Sequence, residues 1–182
     1  MIVESKRLTL EPLTRKHAEP LFRALRQKEI YRFIPQDPPA SVDELVKRYQ
    51  FLEARKSPDG AEHWLNWAVR LKSDNSYIGR FESTVRLDRT ALFAYVFGRF
   101  SWGQGFATEA GQQVIEHLFN TYCVGRLIAE VDTRNTASMR LLERLGFQRG
   151  AIKQNADFFK GLASHEFVYS LTRPDAHSLK KR

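Results

Sequence analysis

The sequence predicts an α/β fold of the α+β kind, in which about four helices flank one mixed, mostly antiparallel central sheet of about six or seven strands. Runs with strand and helix periodicity alternate along the chain without a linker-like segment. Three successive runs rich in aromatic and branched residues, 64–71, 77–87 and 92–97, are separated by short turn-like segments, which favours antiparallel neighbours. The third run is apolar on both faces, as expected of a central strand.

The first part of the chain predicts one strand and two helices. Residues 7–11 alternate in polarity as a strand does. The first helix starts either near Thr14, with Pro20 distorting it, or at Glu19 with Pro20 as its first residue, and we favour the later start. Ser41 begins a segment with capping-box spacing, and the apolar stripe after it predicts a second helix ending near residue 57.

The second half predicts two further helices and three strands. Apolar residues spaced by three and four predict a helix over about 105–122, and alternation predicts a strand over 127–132. Asn135 is a suitable N-cap for the next helix, which Gly146 ends. Strands are expected at 148–153 and 166–171, joined by the polar and aromatic stretch 154–164.

Composition limits the class of protein. The 182 residues, 42% of them hydrophobic, suit one domain, which we place at 1–175, followed by a solvated basic tail at 176–182. Cys123 has no partner cysteine and is expected to be a buried thiol in a reducing compartment. No apolar span approaches the roughly 20 residues of a membrane helix, so the cytoplasm is expected.

The segment 102–110 is the most informative part of the chain. It follows the apolar run 92–97, contains Gly103 and Gly105, and opens a helix. Helix N-termini leave backbone N–H groups unpaired, and glycines let a phosphate approach the backbone. The pattern therefore predicts a site for a phosphorylated ligand. A dinucleotide fingerprint fails, because Thr108 stands where the third glycine belongs.

Several short motifs are spread along the chain. They are residues 7–13 (RLTLEPL), 77–79 (YIG), 102–110 (WGQGFATEA) and 135–138 (NTAS), followed by 141–147 (LLERLGF). Together these motifs resemble those of the GNAT superfamily of acetyl-CoA-dependent N-acetyltransferases. The resemblance is closest to the branch that acetylates ribosomal proteins at an N-terminal alanine or serine, and it covers nearly the whole chain.

The resemblance implies acetyl-CoA as the acetyl donor and no metal. Trp102 stands where the general family pattern has Gln or Arg, so we expect backbone N–H groups rather than this side chain to hold the pyrophosphate. Asn135 is implied to bond the pantetheine arm, with a pure capping role as the alternative. The residues implied to contact the donor are Phe97, Gly98, Trp102, Gly103, Gln104, Gly105, Phe106, Ala107, Thr108, Asn135 and Ser138.

Three side chains are candidates for the chemistry. Ser138 is implied to lie on the thiolate side as a general acid, and the alternative is a capping hydroxyl. Asp157 aligns with an acidic residue that the ribosomal branch uses as a candidate base, although an exposed loop aspartate fits its position equally well. Glu82, on a middle strand where other members carry a base, is the rival and also borders the substrate, unless it only pairs with Arg80 or Arg86.

The amine acceptor and the partners stay open at this stage. Arg32 and Phe33, in the loop between the first two helices, are implied to border the acceptor, which is a protein N-terminus or a small amine such as an aminoglycoside, polyamine or amino acid derivative. The competing class is a non-catalytic acyl-CoA sensor or a ribosome- or RNA-binding module, motivated by the net charge of +8. Dispersed Lys and Arg argue against direct nucleic-acid binding, and a monomer or homodimer is expected.

Overall fold

The computed structural model describes residues 1–173, which form one eight-stranded sheet with helices on both faces. The strands are β1 (Val3–Glu4), β2 (Leu8–Pro12), β3 (His63–Leu71), β4 (Tyr77–Val85), β5 (Thr90–Phe97), β6 (Arg126–Asp132), β7 (Gln148–Phe159) and β8 (Leu162–Thr172). The helices are α1 (Ala18–Leu25), α2 (Val42–Leu52), α3 (Phe106–Thr121) and α4 (Thr136–Arg144).

The sheet has the strand order β1-β2-β3-β4-β5-β6-β8-β7, and every pair is antiparallel except β5 with β6. The predicted fold class is confirmed, with one strand more than the six or seven expected. The additional strand, β1, contributes two residues that pair with Thr9 and Leu10. A two-residue strand is too short to show alternation, which is why the sequence did not reveal it.

The largest difference from the sequence expectation is the β7–β8 hairpin. Residues 154–164 were expected to be a connecting stretch, yet β7 runs through to Phe159 and β8 starts at Leu162, so that only Lys160 and Gly161 turn between them. Almost every residue of β7 is exposed, and its register with β8 shifts twice. Without one buried face the strand lacks the alternation that would have predicted it.

Two further expectations need correction. Cys123 is exposed, because the connection from α3 to β6 takes a left-handed backbone at this residue and Val124 occupies the buried position instead. Helix α1 begins at Ala18, after a 3-10 turn over Arg15–His17, so Pro20 is its third residue. The tail 176–182 and the end of the expected domain lie outside the described residues.

The sheet separates two hydrophobic layers. On one face α3 and α4 pack against a large cluster that includes Trp67, Phe81 and Leu118, all fully buried. On the other face α1 and α2 cover a smaller cluster around Leu21, Tyr49 and Val96. The strand residues in this smaller cluster are Ala68 of β3, Tyr77 of β4 and Val96 of β5. Among the described helices, none is long and apolar enough to cross a membrane.

The two parallel strands separate near the middle of the sheet. β5 pairs with β6 only over Thr90–Leu92, opposite Arg126–Ile128, after which both strands continue without pairing to each other. Because parallel strands point the same way, α3 and α4 begin at the same edge of the sheet, one after each strand. The fold therefore leaves an opening between two strands, with a helix N-terminus beyond each of them.

Candidate active site

The loop after β5 presents a row of unpaired backbone donors. None of the six consecutive N–H groups from Gly103 to Thr108 finds a hydrogen-bond acceptor among the described residues. Gly103 and Gly105 have φ angles of 74° and 78°, and Gly105 is the N-cap of α3. A side chain at Gly103 would project into open space, so the backbone here is accessible to a ligand. Such a row at a helix N-terminus suits an anion, and a diphosphate above all.

Trp102 ties this loop to the strand before it. Its indole Nε1 donates to the Phe97 carbonyl at 2.9 Å, which ties the loop to the end of β5. Gly98 donates its N–H to Ile78, and a Cβ at Gly98 would lie 2.8 Å from the Ala24 carbonyl. The Trp102 indole, the Gly98 N–H and the Phe97 carbonyl thus each form a hydrogen bond with another group of the protein.

An ion pair fixes the N-terminus of α3 to the turn between β1 and β2. Glu109 accepts from the backbone N–H and Nε of Arg7 at 2.7 and 2.6 Å, and from Ser5 Oγ at 2.7 Å. Burial alone would raise the pKa of Glu109, but these hydrogen bonds hold it below its usual value. Arg7 also donates to the Gln104 carbonyl and lies over the Phe106 ring. Glu109 therefore has a structural role at the start of α3, and Arg7 is part of it.

The second helix N-terminus brings Asn135, Ser138 and Tyr95 together. Asn135 Oδ1 accepts from the Ser138 N–H at 3.1 Å, which confirms its capping role and leaves its Nδ2 without an acceptor among residues 1–173. Ser138 Oγ lies 2.7 Å from the hydroxyl of Tyr95, which comes from the part of β5 that no longer pairs with β6. Burial raises the pKa of Tyr95 to about 12, so the phenol stays protonated at neutral pH.

Glu82 lies on the opposite face of the sheet, in an open groove of about 180 Å³. It forms an ion pair with the buried Arg80, one of the two partners that the sequence suggested. Burial opposes ionisation of Glu82, but the Arg80 guanidinium outweighs it and lowers the pKa of the carboxyl. The groove also contains Leu92 and Ala94 of β5, so it begins where β5 separates from β6.

Asp157 is an exposed residue near the tip of the β7–β8 hairpin. Its carboxylate accepts the neighbouring Phe158 N–H at 2.7 Å. The tip reaches the loop between α1 and α2, since Lys160 Nζ donates to the Tyr31 and Ile34 carbonyls. Asp157 thus lies on β7, whereas Glu82 lies on β4. Asp157 is not among the residues that line the groove around Glu82.

Arg134 joins the hairpin to the segment that contains Arg32 and Phe33. Its guanidinium lies 6.0 Å from the Phe33 ring centroid and 5.9 Å from that of Phe159. The exposed Arg32 stacks on Phe33 at 5.1 Å. The structure therefore brings Arg32 and Phe33 close to the end of β7.

Asp132 anchors this corner at the end of β6. Its side chain is 1% exposed and accepts from Arg134 and from Ser164 Oγ, the latter at 2.8 Å. Burial would raise its pKa, but Arg134 and Ser164 lower it to about 2. Its carbonyl accepts the Asn135 N–H at 2.9 Å, so this cluster also fixes the start of α4.

Sequence reasoning missed Tyr95, Arg7 and Arg80 as parts of the site. Tyr95 belongs to an apolar strand pattern that gives no sign of which aromatic residue bears a bonded hydroxyl. Arg80 was considered only as a partner of Glu82, although alternation places both on one face of β4. A long-range pair such as Arg7 with Glu109 has no local signal in the sequence.

Among residues 1–173 there is no group of side chains suited to a metal ion.

The family of the chain follows from comparison with known proteins. The family model described as an acetyltransferase (GNAT) domain matches residues 7–148. The chain therefore belongs to the GNAT family of acetyltransferases, whose members use acetyl-CoA. The unpaired donors after β5, the free Asn135 amide and the opening between β5 and β6 fit an extended ligand with a diphosphate at one end.

Similar proteins cover the chain almost completely, and the solved structures among them share its fold. The uncharacterized N-acetyltransferase YoaA of Bacillus subtilis is 26% identical over 175 residues, which is 95% of this chain and 97% of YoaA. The ribosomal-protein-S5-alanine acetyltransferase of Vibrio fischeri has a TM-score of 0.83 at 16% identity, covering 96% of this chain and 98% of its own. The spermidine N-acetyltransferase of Vibrio cholerae, solved with CoA and spermine, has a TM-score of 0.79 at 20% identity, covering 92% and 96%.

The Asp132 cluster predicts a pH-dependent contribution to stability. The pKa of Asp132 is lowered to about 2 in the folded protein, so its contribution is present above the unfolded pKa of about 3.9 and disappears as the pH falls towards 2. Asp132→Asn should lower the free energy of unfolding by about 2 kcal/mol at pH 7. Urea unfolding at pH 7, 5, 3 and 2.5 measures the difference from the natural sequence.

The control is Asp157→Asn, the same substitution at an exposed position, which should change stability by less than about 0.5 kcal/mol. A difference for Asp132→Asn that stays constant from pH 7 to 2.5 would contradict the assigned role of the Asp132 carboxylate.

Proposed function

We propose that this protein transfers an acetyl group from acetyl-CoA to a primary amine by direct attack, without an acyl-enzyme. The observation that carries the proposal is the row of six unpaired N–H groups beside the opening between β5 and β6. The amine nitrogen forms a bond to the carbonyl carbon of the thioester, and the carbon–sulfur bond of the thioester breaks. We place the enzyme in the cytoplasm, as a single domain that is monomeric or homodimeric.

The donor site has three parts in this proposal. The N–H groups from Gly103 to Thr108 hold the diphosphate, and the Arg7–Glu109 pair keeps the first turn of α3 in position for them. The free Nδ2 of Asn135 donates to the pantetheine arm. Ser138 holds a proton near the sulfur at the N-terminus of α4, where the helix dipole favours developing negative charge.

Tyr95 is a positioning residue for Ser138 in this arrangement. Because its phenol remains protonated, it can donate to Ser138 Oγ at 2.7 Å and leave the serine proton free for the sulfur. The same donor stabilises charge on the serine oxygen as that proton moves. Tyr95 thus acts through Ser138.

Glu82 is the proposed base, because it is an ionised carboxylate inside the groove next to the strand opening. Its lowered pKa makes it a weak base, which suits an amine that is already partly neutral at physiological pH. The α-amino group of a peptide, with a pKa near 7.7–8.0, meets that condition better than an alkyl amine with a pKa near 10.4. A protein N-terminus is also the acceptor in the ribosomal-protein branch that the motifs resemble.

The proposal is tested by thiol-release detection of CoA with acetyl-CoA and Ser-, Ala- and Met-initiated peptides, with polyamines and other small amines as alternative acceptors. We expect turnover with at least one peptide. Glu82→Gln, which retains an acceptor for Arg80, should lower kcat by on the order of 100-fold. Asp157→Asn serves as the matched comparison and should leave kcat within about twofold.

A large loss in Asp157→Asn together with normal turnover in Glu82→Gln would move the base to the hairpin. No turnover with any amine, together with no acetyl-CoA binding by calorimetry, would overturn the proposal. Acetyl-CoA binding without turnover would favour an acyl-CoA sensor, and salt-dependent RNA binding without turnover would favour the RNA-binding alternative.

A double-mutant cycle tests the role of Tyr95. Tyr95→Phe and Ser138→Ala should each lower kcat by about tenfold or more with little change in the KM for acetyl-CoA, and the double variant should be no slower than Ser138→Ala. With a pKa of about 12, Tyr95 adds no titration to the rate profile below about pH 10. Additive losses in the double variant would show that Tyr95 does not act through Ser138.

A further inference from the structure

The groove around Glu82 has a definite chemical character. Its walls combine apolar and aromatic groups with hydroxyl, amide and charged groups. The lining residues are Arg48, Leu52, Trp64, Asn66, Glu82, Ser83, Thr84, Leu92 and Ala94. At about 180 Å³ it is smaller than the roughly 300–1,000 Å³ of typical ligand pockets, so it suits a single residue or a small amine.

The groove itself is lined by one carboxylate and one cation. Glu82 is the single carboxylate among the lining residues, and its charge is balanced by the buried Arg80 behind it. Arg48, on α2, remains as a second cation. It lines both this groove and the small cavity next to it, where Arg80 and Tyr31 lie, so it stands at the boundary between them.

Arg48 makes no ion pair or hydrogen bond with any of residues 1–173. Glu44, one helical turn earlier, is the nearest candidate by spacing, but its carboxylate accepts the Ala40 N–H at 2.9 Å as part of the start of α2. Asp37 lines the small cavity together with Arg48, yet it is not within ion-pair distance. The exposed guanidinium of Arg48 therefore has its planar set of donors free beside the groove, and its charge also helps to lower the pKa of Glu82.

We infer that the acceptor is an amine that carries a carboxylate close to its nitrogen, and that Arg48 binds this carboxylate while Glu82 receives the amine. The inference rests on the proposed function. Two sources share the chemistry: a free amino acid, through its α-carboxylate, and a peptide N-terminus with an acidic second residue. Trp64 and Leu52 offer apolar surface to the body of either acceptor. Polyamines, which are cationic throughout, would be poor acceptors.

The test compares acceptors that differ only in that carboxylate. One pair is Ser-Glu- against Ser-Gln-initiated peptide, and the other is a free amino acid against its amide. The natural sequence should prefer the anionic member of at least one pair by about tenfold in kcat/KM, and the pair that shows the preference identifies the source. Arg48→Gln should abolish the preference, and Arg48→Glu should reverse it in favour of a Ser-Lys-initiated peptide.

Lys47→Gln is the matched control, because Lys47 is the exposed neighbour of Arg48 on α2 and does not line the groove. It should keep the full preference. Turnover of both members of each pair at equal rates, or a preference that survives in Arg48→Gln, would overturn the inference. These outcomes differ from failure of the proposed function, in which no amine is turned over and acetyl-CoA does not bind.

Discussion

The separation of β5 from β6 after three paired residues is the constraint on which the rest of the site depends. Backbone groups on a strand edge need partners, and here the neighbouring strand does not supply them beyond Leu92. The parallel direction of the two strands brings the N-termini of α3 and α4 to the same edge of the sheet, where Tyr95 lies beside Ser138. The separation also opens the sheet next to the groove that holds Glu82 on the other face.

Polar interactions far apart in sequence keep this opening in shape. Arg7 and Ser5 bind Glu109 across about a hundred residues, and Asp132 ties Arg134 and Ser164 to the end of β6. Trp102 bonds the loop between β5 and α3 to the end of β5. Each of these groups holds backbone beside the proposed donor site in position.

The sequence predicted the fold class, all four helices and the glycine loop, because periodicity, caps and positive-φ glycines are local signals. Asn135 is an example, since its spacing from Ser138 is enough to predict the cap. Local signals failed for the β7–β8 hairpin, whose strands have little buried face, and for Cys123, whose exposure depends on one left-handed residue. Tyr95, Arg48 and Arg80 gained their significance only from the packing of distant elements, which no local pattern contains.

The central claim is that the loop after β5 and the opening between β5 and β6 receive acetyl-CoA. A crystal structure of the protein with CoA tests it most directly. The account predicts diphosphate oxygens within hydrogen-bond distance of the N–H groups between Gly103 and Thr108, the pantetheine arm between β5 and β6, and its amide at Asn135. A diphosphate bound elsewhere, or a pantetheine arm outside the opening, would contradict it.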